Sequence, residues 1–330
     1  MGRMGRRHLQ VACEKQLDVV GICDQSAEAV RVAGEEHGVA EARRFTDPVA
    51  MLKQARPELV VVATHAPSHC RYVCDAAAAG AKFILCEKPL AVSLAECDQM
   101  IEACTKHGCR LAVNHQMRFM EQYIEPKRII DSPAFGGAAS INVVTGNFGL
   151  AMNGTHYFEM FRYITGEPAV EAVGYFSDTV LPNPRGPEFQ DRAGSVRLTT
   201  ASGRRFYLDC GPDQGHGLHV TYAGRNGLIH VDELGGTMRA AVRKPEHSEL
   251  PTTRYGMPWD AVDRAIKPAD STAPTRAVLD AFLAGGDYPT AADGRLAVAT
   301  LIAAYVSNES GHRPVPIDDQ LPRDRVFPWA

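Results

Sequence analysis

The chain has 330 residues, 45% apolar and 22% charged, ordinary proportions for a globular protein long enough for two modest domains. Its 35 Lys and Arg against 39 Asp and Glu leave a formal charge of −4 without a basic stripe, which argues against a nucleic-acid partner. No run approaches the ~18 uninterrupted apolar residues of a membrane span. The basic start, Met1 to His8, has no apolar stretch behind it and carries Arg6 where myristoylation needs Ser or Thr, so it reads as neither a secretory signal nor a lipidation site. Nine cysteines form no Cys-x-x-Cys pair, and most lie in apolar patterns as small hydrophobes. A reducing cytoplasm is expected, with no disulfide frame and no structural zinc.

The first half alternates strand and helix. Asp18 to Cys23 reads as a strand ending at Asp24, followed by a helix from Ser26, a plausible N-cap, to Gly38. Asp47-Pro48 opens a helix over 49–55. Leu59 to Ala63 is an unbroken aliphatic run, as in a strand buried on both faces. A helix from His69 to Ala79, a strand over 82–86, a helix from Ser93 to His107 and a strand over 110–113 complete the series. Strands separated by such helices imply right-handed crossovers and a doubly wound parallel sheet. The expected first domain is 1–117.

Beyond Phe119 the pattern changes to short alternating strands at 140–144, 172–176, 195–200, 205–209, 218–222 and 228–231. Ala201-Ser202-Gly203 and Gly224 to Gly227 read as hairpin turns. The second domain, 118–330, is expected to be α+β with a largely antiparallel sheet. Its last helices are expected at 275–284 and 294–307, and 244–274, rich in Pro, Thr and charge, as an irregular excursion. One face of the sheet, including Val196, Leu198, Phe206, Leu208 and Val220, is expected to lie uncovered and to make a homodimer or homotetramer.

Two stretches carry chemistry. Gly2-Arg3-Met4-Gly5 precedes a strand that ends in Asp24, the spacing of a dinucleotide fingerprint in which an acid about 20 residues on binds the ribose 2′-hydroxyl. No arginine follows Asp24 to take a 2′-phosphate, so NAD is favoured over NADP. The second is Cys86-Glu87-Lys88-Pro89. A charged pair at the carboxyl end of a buried strand stands where open α/β sheets bind ligands.

Glu87-Lys88-Pro89 followed by Leu90-Ala91 and a helix resembles the glucose-fructose oxidoreductase / inositol dehydrogenase (Gfo/Idh/MocA) family, as does Asn153-Gly154-Thr155-His156-Tyr157-Phe158-Glu159. The resemblance covers nearly the whole chain. It implies that Lys88 touches the reacting carbinol beside the nicotinamide, and that Thr64, His65, Glu87 and Asn114 line the cofactor. It matches His69 to a helix-opening histidine and Arg118-Phe119 to a structural pair. The chain departs from the family in three places. The first strand and first glycine of Gly-x-Gly-x-x-Gly are absent, so the native protein is expected to start some ~10 residues upstream. His65 replaces a proline. Met152 stands where the family has an aspartate of the proton-handling group.

The implied activity is hydride transfer between NAD and a secondary alcohol or ketone of a sugar, polyol or related metabolite. An imidazole with pKa near ~6.5 suits removal of the carbinol proton, which assigns His156 as base. A lysine ammonium stabilises the developing alkoxide, which suits Lys88. Asn153 and Tyr157 are candidate substrate contacts, and Glu159, one helical turn from His156, could orient it in place of the lost aspartate. Asp213, His216 and His219 read as a turn between strands rather than a metal site. The alternatives are NAD-dependent glycoside cleavage on the same fold, or a nucleotide-dependent regulator without catalysis.

Overall fold

The computed structural model describes residues 1–254, 256–267 and 271–330. It divides into two compact units: 1–116 with 271–298 and 324–330, and a second made of 117–270 with 299–323. The second domain is therefore not a continuous 118–330. Residues 271–298 and 324–330 belong with the first unit.

The first unit opens with α1 (Arg3–Glu14), then β1 (Ile22–Cys23), α2 (Ala27–Glu36), β2 (Arg44–Phe45) and α3 (Pro48–Ala55). β3 (Leu59–Val62), α4 (His69–Ala78), β4 (Phe83–Cys86), α5 (Leu94–Lys106) and β5 (Arg110–Val113) follow. The expected caps form: Ser26 accepts from the Ala29 amide, Asp47 from Val49, and Ser93 from Glu96. All strand pairs are parallel, but they make two sheets, β2-β1 and β3-β4-β5. β1 and β3 each lack a partner along one edge among the described residues. The strand expected over Asp18–Cys23 shrinks accordingly to Ile22–Cys23, since ladder pairing on one side alone gives little reason for a longer run.

In the second unit, α6 (Glu121–Ile130) precedes β6 (Ala138–Gly146), α7 (Thr155–Thr165) and β7 (Ala169–Phe176). Then come β8 (Gly194–Thr200), β9 (Arg205–Gly211), β10 (His219–Gly224), β11 (Gly227–Asp232), β12 (Thr237–Arg243) and β13 (Trp259–Ala265). α8 (Thr272–Ala284) lies in the first unit, α9 (Ala291–Glu309) crosses the unit boundary, and β14 (Val315–Pro316) closes the sheet. The nine strands run β13-β12-β11-β10-β6-β9-β8-β7-β14, antiparallel except for β6 with β9. Both expected hairpin turns connect paired strands. β13 lies within the stretch expected to be irregular, of which positions 255 and 268–270 fall outside the described residues.

The uncovered-face expectation needs correction. Val196, Leu198, Phe206, Leu208 and Val220 are 0–2% exposed and form the covered face of the sheet. Phe206 packs on Phe158 and Phe161 of α7, with ring centroids 6.1 and 5.4 Å away. Each such burial stabilises by roughly 1.5–3 kcal/mol. Gly174 lets β7 approach α9 closely, since a Cβ there would run into the Ala304 carbonyl oxygen. The opposite face carries Val144, Tyr175 and Tyr207 beside Asn142, Arg197 and Asp209, around a depression of about 330 Å³.

Candidate active site

In the first unit Gly2 is the N-cap of α1 and nothing would meet a Cβ built on it, so the backbone there is open to close approach. The first-turn amides of Arg3, Met4 and Gly5 have no acceptor within the helix and point out of its positive end, where phosphate is favoured. Asp24, just past β1, accepts from the Ser26 amide at 2.9 Å through one oxygen and pairs with the Met1 ammonium through the other. A helix start and a carboxylate are thus brought together as the fingerprint requires. These residues fit a dinucleotide with a free ribose 2′-hydroxyl.

Glu87 is the centre of the other half of this unit. It is buried, and its Oε1 takes His8 Nε2 from α1 at 2.8 Å and Asn114 Nδ2 from the end of β5 at 2.8 Å. Burial alone would raise its pKa. The hydrogen bond and charge of His8, the Lys88 charge and the Asn114 bond outweigh it and bring the carboxyl down to about 2. Glu87 is therefore an ionised clasp joining α1, β4 and β5. Lys88 follows it half-buried, with a cis peptide to Pro89.

His69, fully buried, lies with Nδ1 3.0 Å from the Pro89 carbonyl oxygen and Nε2 3.0 Å from that of Thr64. Burial pushes its pKa down. It ties the loop after β3 to the Lys88-Pro89 turn, a structural part. Thr64 accepts from the Ser68 hydroxyl at 2.7 Å, and His65 is exposed at the mouth of this loop.

In the second unit, α7 is entered through a wide turn over Leu150–Gly154. Asp191, from the segment before β8, accepts the Ala151 amide at 2.7 Å and the Met152 amide at 2.8 Å. Gly149, at φ +77°, leaves the space this carboxylate uses, since a Cβ would meet it. An acid thus reaches the turn where Met152 supplies none. His156 is buried in the first turn of α7.

The residues expected around it have the following described partners. Tyr157, 1% exposed, donates from its hydroxyl to Glu233 Oε2 at 3.0 Å and belongs to the core. The Asn153 side-chain amide donates to the Phe148 carbonyl. Glu159, a candidate to orient His156, takes bonds at its Oε1 from Arg118 at 2.8 Å and Arg162 at 3.0 Å. Arg118 also lies over the Tyr163 ring, 5.0 Å from its centroid, so Glu159 serves a buried cationic cluster. His216 puts its ring nitrogens against Gly217 O and Gln214 Oε1, at 2.8 and 3.0 Å, within its own turn.

Sequence reasoning missed His8, Asp191 and Glu233. His8 lies just past the fingerprint, three residues and nearly one helical turn beyond Gly5 on the same helix, and that spacing was a usable signal. Asp191 and Glu233 had none, because each acts on a helix start far away in sequence.

Residues 1–115 match the model of Gfo/Idh/MocA, an oxidoreductase family with an NAD-binding Rossmann fold. The match covers the first third of the chain. Over most of its length the chain is similar to the D-apiose dehydrogenase of Paraburkholderia graminis, 26% identical over 89% of this chain and 82% of the relative. The inositol 2-dehydrogenase 2 of Saccharopolyspora erythraea is 28% identical, over 93% and 87%. An oxidoreductase domain protein from Kribbella flavida shares the fold, with a TM-score of 0.78 at 21% identity over 96% of each chain. The expected doubly wound first domain and mostly antiparallel second sheet agree with these likenesses.

Proposed function

We propose that the chain is an NAD-dependent dehydrogenase of a secondary alcohol in a sugar, polyol or related metabolite, with Lys88 and His156 as its reacting groups. The observation that carries this reading is the clasp at Glu87. Held by His8 and Asn114, it fixes the residue before Lys88 at the carboxyl end of β4, the ligand-binding end of a parallel sheet. Relatives named for D-apiose and inositol support the substrate class.

Bound NAD supplies the hydride acceptor. Gly2, Arg3, Met4, Gly5 and Asp24 would hold its phosphates and ribose, and Thr64, His65, Glu87 and Asn114 its nicotinamide side. The Lys88 ammonium stabilises negative charge at the substrate oxygen. His156 takes the proton that leaves that oxygen. NADH absorbance across a panel of polyols and keto-sugars tests the reading: a signal with at least one of them is expected. Silence across the panel would refute it, and free sugar released without net NADH would point to glycoside cleavage instead.

The same reading makes the protein a homodimer or homotetramer of a reducing cytoplasm. Six of the nine cysteines are buried and suit a reducing compartment as small hydrophobes. The uncovered sheet face around Val144, Tyr175 and Tyr207 is the surface available for a second copy. Light scattering that finds a monomer at micromolar concentration would remove this part.

A further inference from the structure

Glu233 is an acid for which the scheme above has no use. It follows β11 directly and is 4% exposed, and its backbone N–H donates to the Leu218 carbonyl at 3.0 Å. Phenols face it from three elements: Tyr123 of α6, Tyr157 of α7 and Tyr222 of β10, each at most 1% exposed. The Tyr157 ring is wedged between those of Tyr123 and Phe148, at 6.3 and 5.5 Å. Asp232, the other acid of this turn, points to the surface and accepts from the Gly235 amide at 2.7 Å.

The start of α7 makes this tie important. The helix has no side-chain cap of its own and is entered through the wide turn. Contacts from outside hold its start, among them Asp191 on the amides of Ala151 and Met152 and Glu233 on Tyr157. Tyr157 is the residue next to His156, so whatever turns one turns the other. We propose that Glu233, hydrogen-bonded to the Tyr157 hydroxyl, is the positioning residue that holds His156 in register. The inference rests on the assignment of His156 as base.

Burial pushes the Glu233 carboxyl up to about 8, against the opposing pull of the Tyr157 hydrogen bond. The three phenols are raised well beyond their ordinary range by burial and stay neutral in that window. Among the described residues, no cation is among the groups that shift the Glu233 carboxyl. As pH rises through the carboxyl's folded value, a buried charge forms with nothing to balance it. The following Leu234-Gly235-Gly236 turn, with Gly236 at φ +68°, can then yield to water, and the charged carboxylate moves toward it together with the Tyr157 hydroxyl it still accepts from, shifting the start of α7.

Hydrogen exchange across residues 155–158 and pH profiles of kcat test this with Glu233→Gln, Glu233→Ala and Tyr157→Phe. Wild type is expected to lose protection and kcat above about pH 8, whereas Glu233→Gln, a neutral isostere, keeps its protection and loses that alkaline limb. Glu233→Ala and Tyr157→Phe should lose protection at every pH, with kcat down on the order of 10–100-fold and KM moved less. An alkaline limb in Glu233→Gln like that of wild type, or Glu233→Ala with wild-type protection, overturns the proposal. If Glu233→Ala does not fold, the comparison of wild type with Glu233→Gln decides alone. Exchange needs no substrate, so a protein silent on the polyol panel refutes the proposed reaction while the anchor is still judged.

Discussion

Replacing Glu87 by Gln keeps the side chain's size and the bond to Asn114 but removes the charge that pairs with His8. The carboxyl titrates at about 2 when folded, against an ordinary 4.5. A shift of that size, at about 1.4 kcal/mol per pKa unit, corresponds to about 3 kcal/mol. The group is buried, so solvent screening takes little away. Because the folded value is depressed, this stability is fully present above about pH 4.5 and is lost as pH falls through 2. Glu87→Gln should therefore melt about 6–12 °C below wild type at pH 7, taking 2–4 °C per kcal/mol for a unit of this size. The gap should close to under half at pH 3, where wild type has itself lost much of the contribution. Melting curves followed by circular dichroism at pH 7, 5 and 3 measure both. A gap under 1 °C at pH 7, or one that does not change with pH, would refute the reasoning.

Lys88→Met is expected to lower kcat by roughly 10²–10³ while NAD still quenches intrinsic fluorescence; near-normal turnover would remove Lys88 from the reaction. Asp24→Ser with an arginine introduced nearby should shift preference from NAD toward NADP, measured as the ratio of kcat/KM for the two, and wild type that already prefers NADP would contradict the role given to Asp24. Asp191→Ala should cost about 0.5–2 kcal/mol in denaturant unfolding by uncapping the turn before α7, and Asp191→Asn less; equal stability of all three proteins would show that the two amides find other acceptors.

What was legible in the sequence was periodicity and local capping. Unbroken aliphatic runs gave β3 and β4, alternation gave β6 to β11, and Ser26, Asp47 and Ser93 marked helix starts that the structure keeps. α6 escaped because Pro126 sits inside it, and β13 because every residue in it is exposed, so neither shows the pattern of its class. At the site, Glu87 and Lys88 could be read as a charged pair out of place. The partners of Glu87 lie 79 and 27 residues away, and no local rule connects them. Glu159 shows the converse: helical spacing puts it one turn from His156, but spacing says nothing of the two arginines that bond its Oε1.

The nine-stranded sheet ends in two quite different margins. β13 is exposed throughout and carries Asp260, Asp263 and Arg264, with Asp263 salt-bridged to Arg239 on the neighbouring strand. β14, at the other margin, is two residues long and includes Pro316, which has no N–H to offer. A foreign strand arriving at one margin meets charge, and at the other finds almost no ladder to extend. Amyloid-like growth through the sheet is thereby disfavoured at both margins, whatever the broad face between them meets.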